Sequence, residues 1–162
     1  MRAAALAIGG LVATACASVT AATTLLGEQV THRPNAESVP ITSSVRSLYV
    51  VHCAGCHGVD GAGSAAAYVP DMRRLGNLLR LDGGREFVIS VPGVMGSGLS
   101  DQQVADVTNW LLSTVAKGTA PEGHRPYDAS EVQRARASPL IDVAAARRRL
   151  ATQARERGIT ID

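Results

Sequence analysis

The sequence predicts an all-α domain, on three observations. No stretch of its 162 residues alternates apolar and polar with a period of two, the mark of a half-buried strand. Ser100 to about Ala116 reads as an amphipathic helix: Ser100 caps it, Gln103 takes the capping-box position, and Val104, Val107, Leu111 and Val115 recur at helical spacing. Hydrophobic residues make up 46% of the chain but aromatics only 3%, and small cores normally lean on aromatic bulk. Something other than side chains is therefore expected to fill part of this core. The length allows one domain with an appendage. A net charge of +2 is too small to argue for nucleic acid.

Residues 1–22 read as an export signal, with Arg2 followed by an apolar run to about Ala15 and small residues thereafter. The run falls short of the ~20 apolar residues that span a bilayer. Val12-Ala13-Thr14-Ala15-Cys16 loosely resembles a lipobox, so lipidation of Cys16 stands as the alternative to plain cleavage, and membrane contact is expected only in that case. Residues 23–42, polar and holding Pro34 and Pro40, read as a linker or surface arm.

The first helix is expected to start at Ser43 or Ser44 and to run through Leu48, Tyr49 and Val51 into Cys53. A loop with Gly58, Gly61 and Gly63 follows and ends at Pro70. A short helix is expected over Met72 to Leu81, and another from Arg85 to Ser90, stopped by Pro92-Gly93. After the Ser100 helix comes a connector with Pro121 and Pro126. A last helical region runs from Ser130 to Arg157, broken at Pro139.

The segment His52-Cys53-Ala54-Gly55-Cys56-His57-Gly58 carries the chemistry. Structural zinc needs four ligands, and no second Cys or His pair exists downstream. A dithiol switch belongs at a strand-to-helix junction, whereas the surroundings here are helical and glycine-rich. Covalent haem attachment fits. On one helical turn, positions i, i+3 and i+4 share a face, so Cys53 and Cys56 reach one porphyrin edge while His57 projects toward the iron. The porphyrin also supplies the missing core bulk.

From about Val45 to Val115 the sequence resembles class I c-type cytochromes, in Tyr49, the Cys-Ala-Gly-Cys-His-Gly segment, Gly61, Gly63 and Pro70. The resemblance implies a class I cytochrome c fold, helices wrapped around one haem c, over residues 43–118, with a helical extension over residues 119–162. It implies that the Pro70 carbonyl holds the second ring nitrogen of His57, and that Met95, in the loop before the last core helix, is the other axial ligand of the iron. Gly96 stands where the family usually has proline. Met72, Trp110, Tyr49, His32, His52 and His124 read as packing, loop or surface residues.

Residues 124–162 hold eight arginines against five acids. Leu140, Ile141, Val143, Ala144 and Leu150 there suggest an amphipathic helix packed on the core, with a docking surface for an acidic partner as the sharper alternative. The stretches Gly83 to Val94, Asn109-Trp110-Leu111 and Pro126 to Leu140 resemble small exported proteobacterial cytochromes associated with periplasmic dehydrogenases. The expected function is thus a periplasmic carrier of single electrons, between such a dehydrogenase and a terminal oxidase or another cytochrome, and not an enzyme. Two alternatives are a haem sensor or small-ligand-binding protein with an open sixth site, and a cytochrome subunit permanently bound to a dehydrogenase.

Overall fold

The computed structural model describes residues 41–161, and the export signal, Cys16, His32 and nearly all of the expected linker lie outside them. Among the described residues there are seven α-helices, a 3-10 segment and one isolated antiparallel bridge, Ser64 to Val69. The helices are α1 (Ile41–His52), α2 (Ala54–His57), α3 (Gly84–Ser90), α4 (Pro92–Met95), α5 (Asp101–Ser113), α6 (Ala129–Ala137) and α7 (Val143–Glu156), with the 3-10 segment at Met72–Arg80. None is long and apolar enough to cross a membrane.

Helix α5 forms as its sequence directs. The Ser100 side chain accepts from the Gln103 amide at 3.2 Å, and the Gln103 side chain accepts from the Ser100 amide at 2.9 Å. Its buried face, with Val104, Val107, Leu111 and Leu112, is the centre of the core. Helix α1 crosses it with Tyr49 fully buried, its ring 5.3 Å from that of Trp110 and tilted by 41°. Tilted packing of this kind suits two aromatic quadrupoles.

Three local expectations are corrected. Helix α1 starts at Ile41, before the serines proposed as its cap, and ends at His52. Residues 72–80 coil as a 3-10 segment, capped by the Asp71 carboxylate accepting from the Arg73 amide at 2.8 Å, rather than as an α-helix. Pro92 does not simply stop α3. It opens the single turn α4, because proline's fixed φ and missing N–H are harmless at a helix start.

The extension joins the same core. Asn109 of α5 donates to the Tyr127 carbonyl at 2.9 Å and accepts from its amide at 2.8 Å. The buried Tyr127 hydroxyl donates to the Arg85 carbonyl at 2.9 Å, and the Arg85 guanidinium lies 4.0 Å from the Tyr127 ring centre. Burial pushes this phenol well above its ordinary range, so it remains a donor. Val132 and Ala135 of α6 are buried with it. On α7 the buried stripe is Ala146, Leu150 and Ala154, while Ile141 and Ala144, expected on the apolar face, are exposed.

Candidate functional site

Helix α1 delivers the Cys53 to His57 segment to the mouth of a cavity. The Cys53 amide donates to the Tyr49 carbonyl at 2.9 Å, continuing the helical ladder, and α2 then turns through Cys56 and His57. The Tyr49 hydroxyl donates to the Gly58 carbonyl at 2.5 Å and ties the far end of this turn to the core. Cys53 is half-buried and Cys56 exposed, and no disulfide joins them. Burial pushes the Cys53 thiol upward from its ordinary pKa.

The cavity measures about 300 Å³. Cys53, Cys56 and His57 line it, together with Pro70 and Met72 from the following loop. Leu75 and Leu78, Phe87 and Val88, and Val104, Val107 and Leu111 make its apolar walls from three different elements. Two residues of the extension, Arg147 and Ile161, complete it.

His57 Nδ1 lies 3.1 Å from the Pro70 carbonyl oxygen. A carbonyl only accepts, so Nδ1 carries the proton and the lone pair of the neutral ring is on Nε2, the state a metal-binding imidazole requires. The loop that brings Pro70 round is pinned from both sides. The Gly63 amide donates to the His57 carbonyl at 2.9 Å, and the Met72 amide to the Gly61 carbonyl at 2.7 Å.

Met95 ends α4 and is half-buried, but it does not line the cavity; Val91, Gly93, Val94 and Ser97 around it do. Met72, read from sequence as a packing residue, does line it, two residues from Pro70 on the wall that holds His57. His52, read as a surface residue, is exposed and also touches the cavity, its Nδ1 donating to the Ser97 carbonyl at 2.9 Å and so holding the Met95 loop to α1. His124 sits apart, with Nδ1 3.2 Å from the Pro121 carbonyl. Neither Arg147 nor Ile161 was legible as a site residue. The available signal was the position of Arg147 within the apolar stripe of α7, beside Ala146 and one turn before Leu150.

The residues fit a haem. An apolar slot closed by leucines, valines and a phenylalanine suits a flat porphyrin, and its mouth offers two thiols and a correctly polarised imidazole on one turn. No three His, Cys, Asp or Glu side chains among the described residues cluster to hold a bare metal ion, which leaves the zinc reading without a ligand set.

Comparison with known proteins points the same way. The family model for cytochrome c matches residues 44–91. Cytochrome c-552 of Thermus thermophilus is 31% identical over 106 residues, which cover 54% of this chain and 81% of that protein. A second cytochrome c-552, from Thermus thermophilus strain ATCC 27634, is also 31% identical over 106 residues, with 72% of its length covered. No solved structure matches the chain significantly. This chain belongs to the cytochrome c family, as a class I monohaem cytochrome with covalently bound haem c, and it is an electron carrier rather than an enzyme.

Proposed function

We propose that the chain is an exported, periplasmic cytochrome that accepts single electrons from a dehydrogenase and passes them to a terminal oxidase or another cytochrome. In this reading Cys53 and Cys56 hold the haem through thioethers, His57 is one axial ligand, the Pro70 carbonyl fixes its orientation, and Met95 is the other axial ligand. The observation that carries the reading is the single turn bearing Cys53, Cys56 and His57 at the mouth of an apolar cavity, with Nδ1 of His57 already engaged by Pro70. The leader-like residues 1–22 support export, and the stretches similar to dehydrogenase-associated cytochromes support the partner class. Should Cys16 be the lipidated N-terminus, the carrier is tethered to the membrane.

Haem bound here supplies a reversible one-electron exchange between ferric and ferrous iron. The chain's own residues set its conditions. Leu78, Phe87, Val104 and Leu111 give the cavity apolar walls, and the Tyr49 hydroxyl and the Gly63 amide hold the backbone carbonyls of Gly58 and His57.

A second reading, an open sixth site suited to binding a small ligand, is favoured by one observation: Met95 is not among the residues that line the cavity, although its neighbours Val94 and Ser97 are. Optical spectra of the holoprotein, oxidised and reduced, with and without carbon monoxide, separate the two. The carrier reading predicts the weak far-red band of methionine-ligated ferric haem in the wild type and no carbon monoxide binding. In Met95→Ala the band disappears and carbon monoxide binds. A wild type that lacks the band and takes up carbon monoxide readily establishes the open site instead.

A further inference from the structure

His52 is the last residue of α1, immediately precedes Cys53 and is exposed. The sequence gave it no role beyond the surface, yet it lines the cavity, and so does Ser97, whose carbonyl accepts from His52 Nδ1 at 2.9 Å. A carbonyl only accepts, so Nδ1 carries the proton. The bond joins the helix that leads into the attachment turn to the loop that holds Met95.

Much of what shapes that loop is local to it. The Met95 and Gly96 amides donate to the Val91 and Pro92 carbonyls at 3.0 and 2.9 Å. The Ser97 hydroxyl donates to the Val94 carbonyl at 2.8 Å and accepts from the Leu99 amide at 3.3 Å. These bonds fold the loop without tying it to another element. Gly96 and Gly98 lie within it, Gly98 at a φ of +75°, and glycine gives up more conformational freedom on ordering than any other residue. At its far end the Arg136 guanidinium donates to the Leu99 carbonyl at 2.7 Å and anchors the loop to α6. His52 anchors its middle, two residues from Met95.

Met95 does not itself line the cavity, whereas Val94 and Ser97 do. Its side chain can serve the cavity only while the backbone on both sides is kept against the wall. With Cys53 tethered through its thioether, the backbone beside His52 is fixed, and the imidazole carries that fixation across to Ser97. We propose that His52 is a positioning residue for the sixth ligand: through its bond to Ser97 it couples the Cys53 attachment to the loop and keeps Met95 in ligating position. This rests on the reading of Met95 as the other axial ligand.

The test is the weak far-red band of the ferric holoprotein, together with carbon monoxide binding by the ferrous form, in full-length His52→Ala, His52→Asn and His52→Gln. An asparagine amide nitrogen falls close to the place of Nδ1 and keeps the donor, whereas that of glutamine extends toward the place of Nε2 and abandons it. The expected result is loss of the band and gain of carbon monoxide binding in His52→Ala and His52→Gln, with both returned toward wild type in His52→Asn. A band that survives in His52→Ala overturns the proposal, even if the Tm falls, since a merely structural histidine would change stability alone. A band equally strong or equally weak in His52→Asn and His52→Gln overturns it too. If His52→Ala does not load with haem, the asparagine and glutamine variants decide by the same comparison. If none of the three loads, His52 serves attachment rather than the loop, and the proposal is overturned. A wild type that lacks the band and takes up carbon monoxide overturns the Met95 reading, and the proposal with it.

Discussion

Gly63 holds a φ of +67°, a conformation that side-chain-bearing residues rarely adopt, and a Cβ there would strike the carbonyls of Pro70 and Val69. Its amide also bonds the His57 carbonyl, so a single backbone position braces both members of the His57–Pro70 pair. Gly63→Ala is expected to lower stability by about 1–3 kcal/mol through strain and collision together, read as a fall in the Tm of the holoprotein. A wild-type Tm would mean that the loop relaxes freely. At this scale the site was unevenly legible. Cys53, Cys56 and His57 could be read directly, because attachment chemistry compresses its requirements into five consecutive residues. Pro70 was reached only through family resemblance, since a backbone carbonyl thirteen residues away leaves no mark in residue type. The Asn109 pairing with the Tyr127 backbone and the cavity-facing position of Arg147 were not legible, because both depend on how the extension packs.

Among the elements, α6 is held to α3 by a cluster of charges rather than by area alone. Glu131 accepts from Arg85 at 2.6 Å and from Arg125 at 2.9 Å, and its side chain is only 14% exposed. Burial alone would raise the Glu131 pKa, but the two guanidinium groups outweigh it and hold the carboxyl below its ordinary value. Asp128, the cap of α6, is held down at about 2, first by the Ser130 hydroxyl and then by the Glu131 amide. Both groups have depressed folded-state values, so the unfolded chain binds more protons at acid pH. Their contribution is complete above the ordinary carboxylate range and is lost as the pH falls through it toward the folded values. Glu131→Gln is expected to destabilise the protein by about 1–3 kcal/mol at pH 7, because it leaves Arg85 without its charge partner. Thermal melts of the variant should also lose less stability than the wild type between about pH 5 and pH 2. Parallel pH profiles would contradict this. Helices with strong local signals were legible, α5 above all, since caps and stripes are written in neighbouring residues. The start of α1, the 3-10 coil of 72–80 and the turn α4 were not, because tertiary contacts override weak local preferences there.

Over the whole molecule, the extension is one structure with the cytochrome core. Tyr127, Val132, Leu150, Ala154 and Ile161 share a single buried cluster with Tyr49, Phe87 and Leu111. Several of the arginines that the sequence left open to partner docking have partners within the chain: Arg125 binds Asp128 and Glu131, Arg136 binds Asp101 and the Leu99 carbonyl, and Arg157 binds Asp82. The all-α class and the cytochrome family were legible from hydrophobic period and one motif. The enclosure of the cavity by the chain's own C-terminus was not, because contacts between distant residues leave no local pattern. The central claim, that this chain carries one electron on one haem that it holds itself, is tested most directly by a potentiometric titration of the full-length holoprotein followed by haem absorbance. The predicted result is a single reversible transition with a one-electron slope that accounts for the whole haem signal. Multiple transitions, an irreversible one, or a chain that purifies with no redox-active haem would contradict it.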